Sequence, residues 1–403
     1  MKQEQVRTWR TVLLGMGAVV LFGFLAWLIA NSRQPSTPAK PEVPMVSAPA
    51  IPQPVPPPPR STALPPRIEE PSATPAPPAV TATNAADFYR KAFALYDALT
   101  EEEKKVLGDW KAEVDTDQVA QLCQKVAPIV DLMLDAASQT NCDWGLGPTT
   151  SDGFVTALLP NLKRCRDLAR TATWSAAHCR AEDAAAAASD VLATLQVGHN
   201  VAQQSALLGF LVEIAIQGLA DDFIARNAAR FVGAESDRLI KALNDARYEE
   251  NFYRAIEQEA NLSLSKEAMS GSTGAGDSEM RRQVSEFEHE FASVLTQPEA
   301  EYQAWLVRLQ AAQDTNPLLK ELWSGMEMMM NKARTVVVQH AMLSAGLTAL
   351  QSGRDGLATY PDPSTGQPFQ YQETADGFQL QSAYQLQGQP VTMTFRRQSG
   401  GGN

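Results

Sequence analysis

The sequence predicts a mainly α-helical protein. Its parts are an N-terminal transmembrane helix, a disordered proline-rich linker, a multi-helix α-α domain of tetratricopeptide-like stacking, and a small C-terminal antiparallel β hairpin or meander. Three observations carry this reading. Residues 11–30 hold no charge. Residues 34–82 contain 17 of the chain's 26 prolines. From residue 84 to about 351, alanine-rich segments repeat apolar positions at helical spacing, and long alternating β-branched runs are scarce before residue 385. The expected boundaries are 1–10 cytoplasmic tail, 11–31 transmembrane helix, 32–83 linker, 84–351 helical domain, 352–398 β-rich segment and 399–403 disordered tail.

A helix over residues 11–30 rises about 30 Å, the thickness of the hydrocarbon core. Trp9 and Trp27 fall near its ends, where indole rings favour the headgroup boundary. A cleaved signal peptide has a shorter apolar region and small residues at its cleavage site, and Leu28-Ile29-Ala30 is a poor match. Lys2, Arg7 and Arg10 outweigh Glu4 before the span, which favours a cytoplasmic N-terminus. The expected location is the cell inner membrane, single-pass, with the bulk of the chain periplasmic. The following stretch, with its Pro56–Pro59 run, lacks apolar content to fold and leans to polyproline II. Fully extended, it reaches on the order of 150 Å, so it reads as a spacer.

In the helical domain, Asn84 caps a first helix with Phe88, Ala92, Phe93, Leu95, Tyr96 and Leu99 on its buried side. Thr100 and Glu103 form a capping-box pattern. A helix over 116–138 contains Pro128, and 141–153 reads as a loop. Helices follow at 154–180, from Asp183 to a break at Gly198 and Asn200, and at 201–231. More are expected at 236–269, 279–295, 298–313 and 317–351, with a glycine-rich surface loop at 270–277. That loop lacks the lysine and preceding strand of a phosphate loop. Asp376-Gly377 between short alternating runs signals a hairpin, and 391–395 supplies a third strand.

Two stretches are familiar together: residues 162–220, and DPSTGQPFQYQETADGFQLQSA at 362–383. They resemble a loosely defined group of uncharacterised bacterial proteins with an N-terminal anchor, a helical domain and a short β-rich ending. That ending also resembles the C-terminal hairpin of some pseudopilins. The resemblance implies architecture and location, and brings no activity, ligand or functional residue.

Cys123, Cys142, Cys165 and Cys179 are the chain's cysteines. In an outward-facing domain they can form two disulfides. Cys165 and Cys179 are about 21 Å apart on one predicted helix, beyond a disulfide's reach. An antiparallel pairing of helices 116–138 and 154–180 brings Cys123 level with residues 165–169, so Cys123–Cys165 is the expected bridge. Cys142 with Cys179 is a weaker pairing. A zinc cluster at His178, Cys179 and Cys165 is disfavoured, because adjacent helical residues point apart. His199 and Glu213 lie at least three turns apart along the predicted helices, and Gly198-His199-Asn200 reads as a helix end, so an acid–base pair there is set aside. Met326, Met328, Met329 and Met330 read as a buried stripe. Asn141, Asp143 and Trp144, an aromatic among glycines and acids, form either the candidate binding loop or a loop staple.

A net charge of −12 argues against a nucleic-acid surface. The expected function is a membrane-anchored extracytoplasmic module that binds a protein or peptide partner, held to the lipid bilayer by residues 11–31. Alternatives are an accessory component of a secretion or pilus-like apparatus and a membrane-bound hydrolase whose site the sequence does not locate. No catalytic residue, cofactor or metal is assigned.

Overall fold

The structure, a computed structural model, describes residues 84–145, 151–203, 207–246, 250–258, 275–316, 319–320, 323 and 326–397. The expected transmembrane helix, linker and C-terminal tail lie outside the described residues. No helix among the described residues is long and apolar enough to cross a membrane.

The array starts where Asn84 accepts a hydrogen bond from the Ala86 amide and caps α1 (Ala85–Asp97). Thr100 and Glu103 close both halves of the capping box of α2 (Glu101–Leu107). Asp115 caps α3 (Thr116–Ala137), which carries Pro128 within it. After α4 (Ser151–Trp174) the chain opens into a π turn, Ser175–Cys179. The wider turn seats Ser175 so that its hydroxyl donates to buried Asp190, at 2.8 Å. Asp190 lies on α5 (Ala184–Ala202), capped by Asp183 as the sequence predicts.

The predicted break at Gly198 and Asn200 does not occur; α5 runs through both. Gly198 is a point of close approach. A Cβ there would sit 3.2 Å from Ile216 of α6 (Leu207–Asn227). Asn200 is held by Tyr89, whose hydroxyl accepts from its amide at 3.0 Å. The helix predicted over 201–231 is therefore divided, and α6 passes into a short 3₁₀ turn, Ala228–Arg230. α7 (Ala234–Asp245) and α8 (250–258) replace the single helix predicted over 236–269. α9 (Ala275–Val294), α10 (Glu299–Gln313) and α11 (Met326–Ser352) complete the helices, with α9 starting inside the predicted 270–277 loop. Leu319, Trp323 and Met330 are buried, in keeping with the core reading of that region.

The last segment is an antiparallel meander, β1 (Gln370–Thr374), β2 (Gly377–Leu386) and β3 (Gln389–Arg396). The predicted hairpin forms one residue early. Thr374 pairs with Gly377, so Gly377 is already in the strand and Ala375-Asp376 make the turn. A side chain at Gly377 would run into the Phe395 carbonyl. The second turn has Gln387 at φ 54° and Gly388 at φ 75°, the left-handed pair a tight hairpin needs. The sheet packs on α11, where the Phe395 ring occupies the space a Cβ on Gly346 would take. Asp362 fastens the preceding loop. One carboxylate oxygen accepts from the Ser364 amide and hydroxyl, the other from the Ser382 hydroxyl and the Ala383 amide.

The expected Cys123–Cys165 bridge is not present. Cys123 is bonded to Cys179, with Cα atoms 5.6 Å apart, while Cys142 and Cys165 are free and buried. The expectation took α3 and α4 as a simple antiparallel hairpin. In the fold, α3 also lies beside the π turn, and the turn brings Cys179 to Cys123. Cys165 instead packs inward among Leu162, Leu168 and Ala169, and burial holds its thiol well above the ordinary range. The weaker Cys142–Cys179 pairing falls for the same reason.

Three outcomes are expected. Non-reducing peptide mapping recovers Cys123 linked to Cys179, with Cys142 and Cys165 alkylated only on unfolding. Reduction lowers the unfolding free energy by about 4 kcal/mol, from a closed segment of 56 residues. Gly346→Ala lowers the urea-unfolding free energy by about 1–3 kcal/mol, because the Phe395 ring has to move.

Candidate functional site

α6 is buried over most of its surface, with Gly218 and Arg226 exposed, and it carries Glu213, Gln217 and Asp221 at spacings of four, all buried. Residues four apart share one face of a helix, so these form a polar stripe inside an apolar core. Each element packed against that stripe contributes a polar group. α5 brings His199, α8 brings Asn251 and α11 brings His340. Gly198, one residue before His199, lets α5 come close enough for this.

Glu213 and Gln217 of this stripe lie at the floor of a cleft of about 450 Å³ bounded by α3, α5, α6 and α7. Leu134, Leu192 and Ala242 give it apolar walls, and exposed Arg238 and Asp245 of α7 stand at the mouth. His199, Glu213, Gln217 and His340 also reach it.

Asn251 ties the floor together. Its amide nitrogen donates to Glu213 Oε1 at 2.9 Å and lies 2.9 Å from His199 Nδ1. The imidazole and the carboxyl are themselves 3.9 Å apart. With Nδ1 accepting from Asn251, a neutral imidazole carries its proton on Nε2. Nε2 is 2.8 Å from the Gln203 amide, which pairs with it when the amide oxygen faces the ring. Further along the stripe, His340 Nε2 is 3.3 Å from Asp221 Oδ1.

Burial pushes the Glu213 carboxyl up to about 8, against a smaller opposing effect of the Asn251 hydrogen bond. Burial also lowers the His199 imidazole below its ordinary value; nearby Arg254 adds to this and Glu250 opposes it. The environments thus move an acid and a base toward each other, and both favour their uncharged forms. Such a pair can give or take a proton from a group that enters the cleft, or hold a polar group without a standing charge.

The candidate loop of Asn141, Asp143 and Trp144 has a different position. Asn84 and Asp143 exchange two hydrogen bonds, from the Asn84 amide to the Asp143 carbonyl at 2.6 Å and from the Asp143 amide to Asn84 Oδ1 at 2.7 Å. The Asn141 carbonyl accepts from the Ala85 amide at 2.9 Å. Trp144 is buried, stacks on Tyr89 and Phe93, and donates to the Asn200 carbonyl at 3.1 Å. Its ring is a staple that fixes the end of α5 beside His199. His178 Nε2 lies 3.0 Å from the Trp110 carbonyl oxygen, and its neighbour Cys179 is taken up in the disulfide.

His199 and Glu213, set aside on sequence grounds, are brought together by the crossing of α5 and α6 with Asn251 between them. The available signal was the four-residue spacing of Glu213, Gln217 and Asp221 among the apolar positions of this helix. Comparison with protein-family profiles, curated proteins and solved structures finds no match to this chain.

The buried carboxyl gives a pH signature. Glu213 keeps its proton to about pH 8 in the folded state, whereas an unfolded glutamate loses it near pH 4.5. The folded state binds more protons between those values, so this residue's contribution to stability falls as pH rises through the window and levels off above it. Glu213→Gln preserves the uncharged shape. Its urea-unfolding stability from pH 5 to 8 is expected to fall less than that of the wild type, by a few kcal/mol across the window. Parallel profiles would show that the carboxyl is ionised in the native protein.

Proposed function

We propose that this chain is a single-pass inner-membrane protein whose helical domain, held outside the cytoplasm by the 32–83 tether, receives a protein or peptide partner in the cleft between α3, α5, α6 and α7. The carrying observation is the cleft itself, with apolar walls over a hydrogen-bonding floor. Sites that hold a specific group combine these features: the walls supply burial, and a few fixed polar atoms set orientation.

Two further features support the location. Residues 11–30 have the length and character of a bilayer span. The Cys123–Cys179 bridge suits an oxidising compartment, since reducing cytoplasm keeps such thiols apart. The resemblance of residues 162–220 and 362–383 to anchored bacterial proteins with a helical domain and a β-rich ending points the same way.

The test uses the full chain in its membrane. A photo-crosslinking residue at Ala242, on the cleft wall, is expected to give a discrete adduct in intact cells. The same group at Val307, exposed on α10, is expected to give none. Protease added to spheroplasts is expected to digest the helical domain. Equal labelling from both positions, or a protected domain, would overturn the proposal.

A further inference from the structure

We infer that the floor of the cleft is a binding site for a primary ammonium group on an aliphatic stem, with Glu213 and Gln217 as its acceptors. The inference rests on the docking reading above and adds the chemistry of the group that enters.

Glu213 is 1% exposed and Gln217 2% exposed, and both line the cleft. In each, one buried oxygen has no hydrogen-bond partner among the described residues: Oε2 of Glu213 and Oε1 of Gln217. Four residues apart on α6, the two side chains are neighbours. Buried polar atoms in folded proteins are nearly always partnered, so bare acceptors on two neighbouring side chains that line one cavity point to a ligand rich in donors.

Three donor-rich groups compete for this role, and the geometry separates them. A guanidinium is a planar fork that pairs best with both oxygens of one carboxylate. Here Asn251 already occupies Glu213 Oε1, leaving a single oxygen. A hydroxyl brings one donor to two acceptors. A primary ammonium brings three donors and no acceptor, so it can serve Glu213 Oε2 and Gln217 Oε1 together. The walls of Leu134, Leu192 and Ala242 match a methylene stem, which packs along apolar surface while its head reaches polar partners. A lysine side chain and a free alkylamine share this chemistry.

The charged and titratable groups around Glu213 are His199 on α5, Arg238 and Asp245 on α7, Glu250 and Arg254 on α8, Asp221 on α6 and His340 on α11. An ammonium against Oε2 stabilises the ionised carboxylate, which burial otherwise disfavours. Binding therefore releases the Glu213 proton and strengthens as pH rises from 6 to 9.

The experiment is calorimetric titration of the full-length protein in nanodiscs, at pH 6, 7.5 and 9, in buffers of different ionisation enthalpy. The probes are n-pentylamine and N-acetyl-lysine methylamide, with N-acetyl-norleucine methylamide as the uncharged control. At least one ammonium probe is expected to bind with proton release, at least fivefold more tightly at pH 9 than at pH 6, while the norleucine control does not bind. Tighter binding of the lysine amide assigns the site to a partner's side chain; tighter binding of pentylamine assigns it to a free amine. Glu213→Gln is expected to weaken binding at least tenfold and abolish proton release. Gln217→Met is expected to weaken it several-fold while its melting curve stays close to wild type. The inference is overturned if neither probe binds at any pH, or if Glu213→Gln binds as well as wild type. If the Ala242 crosslink persists in that case, only the ammonium chemistry fails; if the wild-type crosslink is itself missing, the docking reading fails.

Discussion

The burial of a polar stripe on α6 is the constraint around which the helical domain is arranged. A helix apolar on every side can be covered all round without conflict. α6 is not quite that helix, because Glu213, Gln217 and Asp221 run along one face. Taking those groups out of water is costly unless neighbours supply hydrogen bonds. The neighbours therefore cannot be placed by apolar packing alone. α8 has to present Asn251 to Glu213, and α11 has to present His340 to Asp221. α5 has to approach closely enough for His199 to meet Asn251, which Gly198 permits. The stripe fixes the register of three helices around a fourth. It also leaves the domain's most polar interior at the base of an open cleft.

A second polar anchor holds the C-terminal half. The Arg334 guanidinium, on α11, is buried and donates to the carbonyls of Val294, Leu295 and Gln297, where α9 ends. It lies 3.1 Å from Glu299 at the start of α10 and is sandwiched near the rings of Tyr302 and Tyr384. One side chain thus joins the α9 terminus, α10, α11 and β2. Arginine suits this role because its planar head satisfies several carbonyls while its faces stack on aromatics. Asp362 plays the complementary part on the strand side, its carboxylate accepting from residues 364, 382 and 383. The Ser364 carbonyl accepts from the Glu299 amide at 2.9 Å, which links the two anchors.

What the sequence disclosed depended on how local its signals were. The caps at Asn84, Thr100 and Asp183 were legible because a cap is decided within four residues. The β meander was legible from alternation and turn chemistry, although its first turn lies one residue early. Its second turn, Gln387-Gly388, has the same chemistry and went unread because glutamine rarely takes a positive φ. Gly198 misled because a glycine that ends a helix and one that admits a neighbouring helix look alike in sequence. The disulfide misled for a related reason. Its pairing depends on a π turn, whose extra residue leaves no mark in apolar periodicity. The floor of the cleft was hidden because His199, Glu213 and Asn251 come from three elements. Only the four-residue stripe on α6 was visible before the helices were placed.

The disulfide and the cleft are mechanically connected, and this bears on where the protein works. α3 supplies Leu134 and Ala137 to one wall of the cleft. The same helix is bonded through Cys123 to the π turn at Cys179. That turn is tied to α5 through Ser175 and Asp190, and α5 carries His199 on the floor. A short covalent and hydrogen-bonded route therefore runs from wall to floor. With the bridge closed, α3 cannot move away from α5 without straining it; with the bridge open, only apolar packing holds that wall. If the domain lies outside the cytoplasm as proposed, the bridge stays closed and helps set the width of the cleft. The anchor and tether would then contribute to the site from a distance, by holding the domain where its own crosslink persists.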